Sequence, residues 1–233
     1  MNEIFKSLPA GGTIFNCITV LAGSLLGLAI GKLIPEKIQG TIFNCLGLFT
    51  LYVGINMALN TKHSIAVVLS LVLGAVTGEL MGIEKKLNSL GDVLKKKFNA
   101  KNSSFTEGFV NASLLFCVGS MAVIGAFEDG LRHNPEILMT KGIMDGIVSI
   151  LFAGSFGIGA LFSIFPMFIY QGTLTFLAVW AEPFITADMY ANISGIGGLM
   201  IMGIGLNLLK ITKINLGDML PGLIYVVFLT MLF

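Results

Sequence analysis

Apolar residues run along this chain in blocks of roughly membrane-span length, separated by short polar joints. A helix needs about 20 residues to cross about 30 Å of hydrocarbon. Blocks of that size occur at 13–31, 41–59, 64–83, 107–127 and 192–209. From Gly146 to Ala181 there are 36 residues without a charge, too many for a single crossing at about 1.5 Å per residue. That stretch therefore folds back on itself. The residue before a proline is pushed out of the helical region, which places the turn at Ser163-Ile164-Phe165-Pro166 and gives spans over 142–163 and 164–181. The last run is short; it makes an eighth span if it begins near Leu216 and keeps Asp218 close to the surface. The expected fold is all-α, a polytopic bundle of about eight transmembrane helices in one membrane domain covering 1–233.

Lysine and arginine in short loops prefer the cytoplasm, so an eight-span chain makes a statement about orientation. One side receives Lys32, Lys37, Lys85, Lys86, Lys95, Lys96, Lys97, Lys101, Lys210 and Lys213, and the other receives Lys6, Lys62, Arg132 and Lys141. This asymmetry puts both termini outside a bacterial inner membrane. A single crossing at 142–181 would move Lys210 and Lys213 across and weaken it. The first run follows Glu3 and Lys6 and has no A-x-A-like end, so it reads as an uncleaved span.

One line is written twice. GLFTLYVGINMALNTK at 47–62 and GLMIMGIGLNLLKITK at 198–213 share Gly47/Gly198, Leu48/Leu199, Gly54/Gly205, Asn56/Asn207, Thr61/Thr212 and Lys62/Lys213. In the eight-span topology the first copy runs outward and the second inward. The reading that follows is an inverted repeat of spans 1–3 (about 12–83) and 6–8 (about 164–233), joined by an amphipathic cytoplasmic segment at 84–106 and linking spans over 107–163. Gly12-Thr13-Ile14 beside Gly172-Thr173-Leu174, and Pro35 beside Pro183, point the same way. A competing match, Ala22-Gly23-Ser24 with Ala153-Gly154-Ser155, relates spans 1 and 5 in one orientation. A composition echo is the third alternative.

Composition narrows the function. Apolar residues make up 55% and charged ones 12%, against about 45–50% and 25% in soluble domains; this is a membrane protein. The net charge of +1 implies no nucleic-acid partner. Cys17, Cys45 and Cys117 lie in apolar stretches without a CxxC pair, and His63 and His133 fall in loops, so no metal site and no cofactor is expected. No P-loop is present, and no nucleophile–base pair stands out to suggest an enzyme.

Glycines supply packing motifs. Gly23, Gly27 and Gly31 form one four-residue ridge and Gly74, Gly78 and Gly82 another, the spacing that lets helix backbones approach closely within a subunit or in a homodimer. Polar groups inside lipid usually face protein or a water-filled path. The candidates for a solute or ion path are therefore Asn16, Asn44, Asn56, Asn111, Asn207 and Gln171, with the carboxylates Glu79, Asp129 and Asp145. Asn56 and Asn207 stand out because the repeat would place them symmetrically. Asp145, read as lying in the first turn of span five, follows Lys141 at the spacing of a helical ion pair. Asp129 beside Glu128 reads as a solvated turn, and Glu79 has Lys85 and Lys86 as partners in reach. Leu87, Leu90, Leu94 and Phe98, with lysines between them, make an amphipathic helix suited to anionic lipid.

GTIFNCITVLAGSLLG near the start, LSLVLGAVTGELMGIEKKLNSLG at 69–91, EGFVNASLLFCVGSMAVIGAFEDGL at 107–131, YQGTLT at 170–175 and GLMIMGIGLNLLKITKINLGDMLPGL at 198–223 resemble blocks of the YqgA-like bacterial inner-membrane proteins, a family with a domain of unknown function. The resemblance covers nearly the whole chain and implies a polytopic bacterial membrane protein, without implying a substrate or catalytic residue. Ser120 stands where the family typically has proline in a CVGPMA-like stretch, which argues against a kink in the fourth span.

A transporter or channel for a small polar solute or ion, passive or gradient-driven, is the expectation, its site near the bilayer midplane between the related units. A membrane scaffold or sensor that binds lipids or partner proteins is the alternative. Single cysteines at Lys62 and Lys213 test the topology. An impermeant thiol reagent on intact cells should label Lys62→Cys and spare Lys213→Cys, and equal labelling would reduce the repeated line to composition.

Overall fold

The structure, a computed structural model, describes residues 5, 7–31, 35–98, 104–118, 120–181 and 186–232. Glu3, Lys6, Lys32, Lys101 and Pro183, which entered the reading above, lie outside them. The described residues hold helices α1 (Gly11–Gly31), α2 (Glu36–Ala58), α3 (Ser64–Met81), α4 (Ile83–Lys97), α5 (Phe105–Cys117), α6 (Ser120–Arg132), α7 (Glu136–Phe156), α8 (Ile158–Leu161), α9 (Ile164–Ala181), α10 (Ala187–Leu208), a 3-10 turn (Gly217–Met219) and α11 (Gly222–Thr230). Among the described residues six segments are long and apolar enough to cross a membrane, seven if α5 and α6 are one broken span. The expected eighth, Gly217–Thr230, is a shorter apolar helix.

Three expectations shift, each for a physical reason. The long uncharged stretch is interrupted twice, at Gly157 and again at Phe162–Ser163, where the expected turn begins, and its last helix covers Ile164–Ala181 as expected; the added break is the one at Gly157. Gly157 has φ 76°, a conformation open to glycine and strained for other residues, whereas Pro166 sits in the first turn of α9, where no intrahelical N–H is needed. The fourth span bends by 58° between Phe105–Cys117 and Met121–Arg132 although its sequence holds no proline, which is a common but not a necessary cause of a kink. Asp145 lies near the middle of α7 rather than in a first turn, because the helix begins at Glu136.

The chain divides into two compact units: Met1–Glu36, Gly91–Cys117 and Met121–Phe184 in the first, Lys37–Leu90, Val118–Ser120 and Ile185–Phe233 in the second. In the first unit α1 and α7 run parallel in continuous contact. A Cβ on Gly23 would stand 2.1 Å from the Gly146 carbonyl oxygen, one on Gly27 2.2 Å from that of Ile150, and one on Gly31 2.5 Å from that of Gly154. Only bare backbone fits there. Lipid offers no hydrophobic drive for helix association, and close backbone contact of this kind replaces it. Buried phenylalanines, among them Phe105, Phe116, Phe152 and Phe156, fill the space among α5, α7 and α8.

In the second unit the twice-written line packs on itself. A Cβ on Gly54 would come within 2.7 Å of the Gly198 oxygen, and one on Gly198 within 2.6 Å of the Gly54 oxygen; Gly47 and Gly205 stand in the same reciprocal relation, at 3.1 and 2.9 Å. The first glycine of each copy thus meets the second glycine of the other, and α2 and α10 run antiparallel. Gly74 and Gly78 of α3 abut Gly222 and the Asp218 backbone. Gly82 lies off that ridge; at φ 64° it caps α3, its N–H reaching back to Gly78 and Glu79.

Gly27→Leu should lower the stability of the purified protein by at least about 1–3 kcal/mol through overpacking. Gly172→Ala, whose Cβ meets nothing within 4 Å, should leave it unchanged or raise it. Thermal unfolding in detergent compares the two, and equal effects would contradict the packing described.

Candidate functional site

The first unit gathers polar residues from three helices at one depth. Asn16 lies on the buried face of α1, Lys141 and Asp145 one turn apart on α7, and Gln171 in α9. Lys141 Nζ donates to Asp145 Oδ2, with the two side chains only 8% and 12% exposed. Asn16 Nδ2 donates to the same carboxylate oxygen at 3.0 Å and to Gln171 Oε1 at 3.3 Å. The glycines bring these groups together: a Cβ on Gly142 would stand 3.0 Å from the Asn16 Cα, so α7 approaches closely enough for Asp145 to reach across. Burying two opposite charges is tolerable only when they are paired and further hydrogen-bonded. Asn16 supplies that further bond.

The network stops short of satisfying itself. Asn16 Oδ1, Gln171 Nε2, Thr13 Oγ1 and Ser24 Oγ are buried without a hydrogen-bond partner among the described residues. Asn16, Gln171, Thr13 and Ser24 are themselves fully buried. Thr13, Asn16 and Ser24 share one face of α1, and at about 1.5 Å per residue they span about 16 Å of its length. Beside them, an open groove of about 340 Å³ between α1 and α9 is walled by Ile14, Cys17, Leu21, Ile164, Phe165 and Phe168, an apolar lining.

The remaining candidates go elsewhere. Asp129 is buried, not a solvated turn: its Oδ2 accepts the Gly12 N–H at 2.9 Å, capping the start of α1 across 117 residues. Asn111 is buried in α5. Asn44, Asn56 and Glu79 are exposed. Asn56 Nδ2 bonds its own helix at the Tyr52 oxygen, while Asn207 laces the loop after α10, accepting from Ile214 N and donating to Ile214 O, both at 2.8 Å. The repeat does not make these two asparagines matched ligands, because one faces outward and the other is spent on a turn.

Sequence reasoning missed several partners. Lys141 was seen as a neighbour of Asp145 and not as part of the site. Asn192 Oδ1 accepts the N–H groups of Lys62 and His63, both at 3.0 Å. Asp218 accepts from Glu84 N while Glu84 accepts from Gly217 N. No local spacing announces contacts between residues about 130 positions apart. Among the described residues, no group of three or more His, Cys, Asp or Glu side chains could hold a metal.

The arrangement is that of a helical membrane protein with polar groups held inside its spans, and comparison with known proteins agrees. The family described as Protein of unknown function (DUF554) matches residues 11–231. The chain belongs to this family. It is similar to the uncharacterized membrane protein YdfK of Bacillus subtilis (strain 168), 32% identical over 217 residues that cover 91% of this chain and 92% of that protein. It is also similar to the uncharacterized protein YqgA of Escherichia coli (strain K12), 31% identical over 218 residues covering 91% and 93%. No solved structure matches it. As a DUF554 protein the chain is a polytopic membrane protein, as the sequence blocks implied.

Removing one partner of a buried ion pair destabilises by about 3–5 kcal/mol, because it strands the other charge. Lys141→Met should show that loss in thermal unfolding, and the double variant Lys141→Met/Asp145→Leu should lose much less than the two single losses summed. Simple additivity would mean that the two groups do not act as a pair.

Proposed function

We propose that this protein is a transporter or channel for a small polar solute or ion, passive or gradient-driven, in the bacterial inner membrane with both termini outside. The observation that carries the reading is the network of Asn16, Lys141, Asp145 and Gln171 in the first unit. Ionisable groups in mid-span are expensive, and those that persist mark solute or ion pathways by default. A purely structural network would leave fewer buried polar atoms unpaired, since each such atom weakens the fold.

The inverted-repeat reading belongs to the same proposal. The crosswise glycine contacts between the two copies of the repeated line are those of a self-complementary, two-fold interface, and inverted repeats are a frequent basis for alternating access. The solute site, on this account, lies in the first unit and not at Asn56 and Asn207.

A second reading, a scaffold or sensor held to lipid, rests on α4: Leu90 and Val93 are exposed on a helix that also carries Lys85, Lys86, Lys95, Lys96 and Lys97.

Flux of a broad panel of labelled ions and uncharged solutes into proteoliposomes separates the two. The transport reading expects protein-dependent flux of at least one member, reduced at least tenfold by Gln171→Leu in protein that remains monodisperse. An intact, folded protein that moves nothing in the panel would favour the scaffold.

A further inference from the structure

Resting on the transport reading, we propose that the polar cluster takes an uncharged solute with a carboxamide- or urea-like edge, in which a hydrogen-bond donor and an acceptor stand side by side. Charge is the first constraint. Lys141 and Asp145 compensate each other within α7, so the cluster presents no uncompensated charge to a passing ion. A cation would have to displace the ammonium, and an anion the carboxylate.

Hydrogen-bond polarity is the second constraint. A carboxylate only accepts, so the end of Asn16 that faces Asp145 must be its NH2 group. One N–H meets Asp145 Oδ2, and the other goes to Gln171, which must answer with its oxygen. Both amide orientations are therefore fixed by the ion pair. What remains is one acceptor, Asn16 Oδ1, and one donor group, Gln171 Nε2, on residues fully shielded from solvent. They belong to two amides already in contact, and a ligand whose donor and acceptor stand side by side offers a partner to each. The N–H and C=O of a carboxamide, or the same pair in urea, meet that need. A single hydroxyl carries both functions on one atom, and an ion carries only one.

Thr13 Oγ1 and Ser24 Oγ, also without a partner among the described residues and on the same face of α1, give such a solute polar contacts on either side of the cluster. The face is closed where Gly23, Gly27 and Gly31 press against α7. A site that hydrogen-bonds its ligand discriminates strongly against analogues lacking the matching groups, because its own buried atoms are then left unpaired.

The test uses the full-length protein in proteoliposomes, with acetamide, urea and glycerol entry followed by stopped-flow light scattering and labelled sodium, potassium and acetate entry followed in parallel. Acetamide and urea should enter at least tenfold faster than into protein-free vesicles, and at least fivefold faster than glycerol through the protein. Gln171→Glu keeps an acceptor toward Asn16 but removes the donor, and Gln171→Met removes both. Each should bring acetamide entry to within twofold of protein-free vesicles while eluting as the parent protein does. Amide entry at the protein-free level in vesicles that pass one of the ions would overturn the solute class and leave transport standing. Amide entry unchanged by both Gln171 variants would overturn the site. Entry of no solute at all would overturn this proposal together with the transport reading.

Discussion

A carboxylate near the middle of an apolar helix has to be neutralised where it stands, and the first unit is arranged around how Asp145 is held. Water is absent from the hydrocarbon, so the charge is matched by Lys141 one turn earlier and the lone pairs by Asn16 from another helix. That second bond requires α1 to lie almost in contact with α7, which is possible only because Gly142, Gly146 and Gly154 meet a face of α1 carrying Gly23, Gly27 and Gly31. Glycine spacing and the buried charge therefore form a single constraint: the backbones must touch for the polar groups to reach each other.

The same chain solves a related problem differently in its second unit. There the close contacts join α2 to α10 and α3 to α11, and the polar side chains are spent on chain ends and turns. Asn192 holds the Lys62–His63 backbone, Asn207 the loop to Ile214, and Asp218 with Glu84 the start of α4. These are saturated, structural uses of amides and carboxylates, since each bond ties down a backbone group that a helix end leaves free. The contrast with the open atoms of Asn16 and Gln171 is what makes the first unit the place to look for a solute.

Much of this was legible in the residues. Apolar blocks located the spans, and the four-residue glycine ridges named helix faces that prove to be tightly packed. Asn16, Asp145 and Gln171 stood out because polar groups are rare within such blocks. The grouping was not legible. Asn16 and Asp145 are 129 residues apart, and only the parallel approach of α1 and α7 joins them. The similarity of the two lines drew attention to Asn56 and Asn207, yet what brings the two lines together in space is their glycines. The added break at Gly157 was hidden because Pro166, the stronger textual sign, marks the later one at Phe162–Ser163.

Whether the buried face of α1 opens to a water-filled path is the central question. In a background with Cys17, Cys45 and Cys117 replaced by alanine, single cysteines at Thr13, Ser24 and the outward-facing Leu25 can be exposed to a small water-soluble thiol reagent in membrane vesicles. The account predicts that Thr13→Cys and Ser24→Cys react at least tenfold faster than Leu25→Cys. Reaction of all three at the slow rate of Leu25→Cys would mean that the polar face of α1 is sealed structure, and would contradict it.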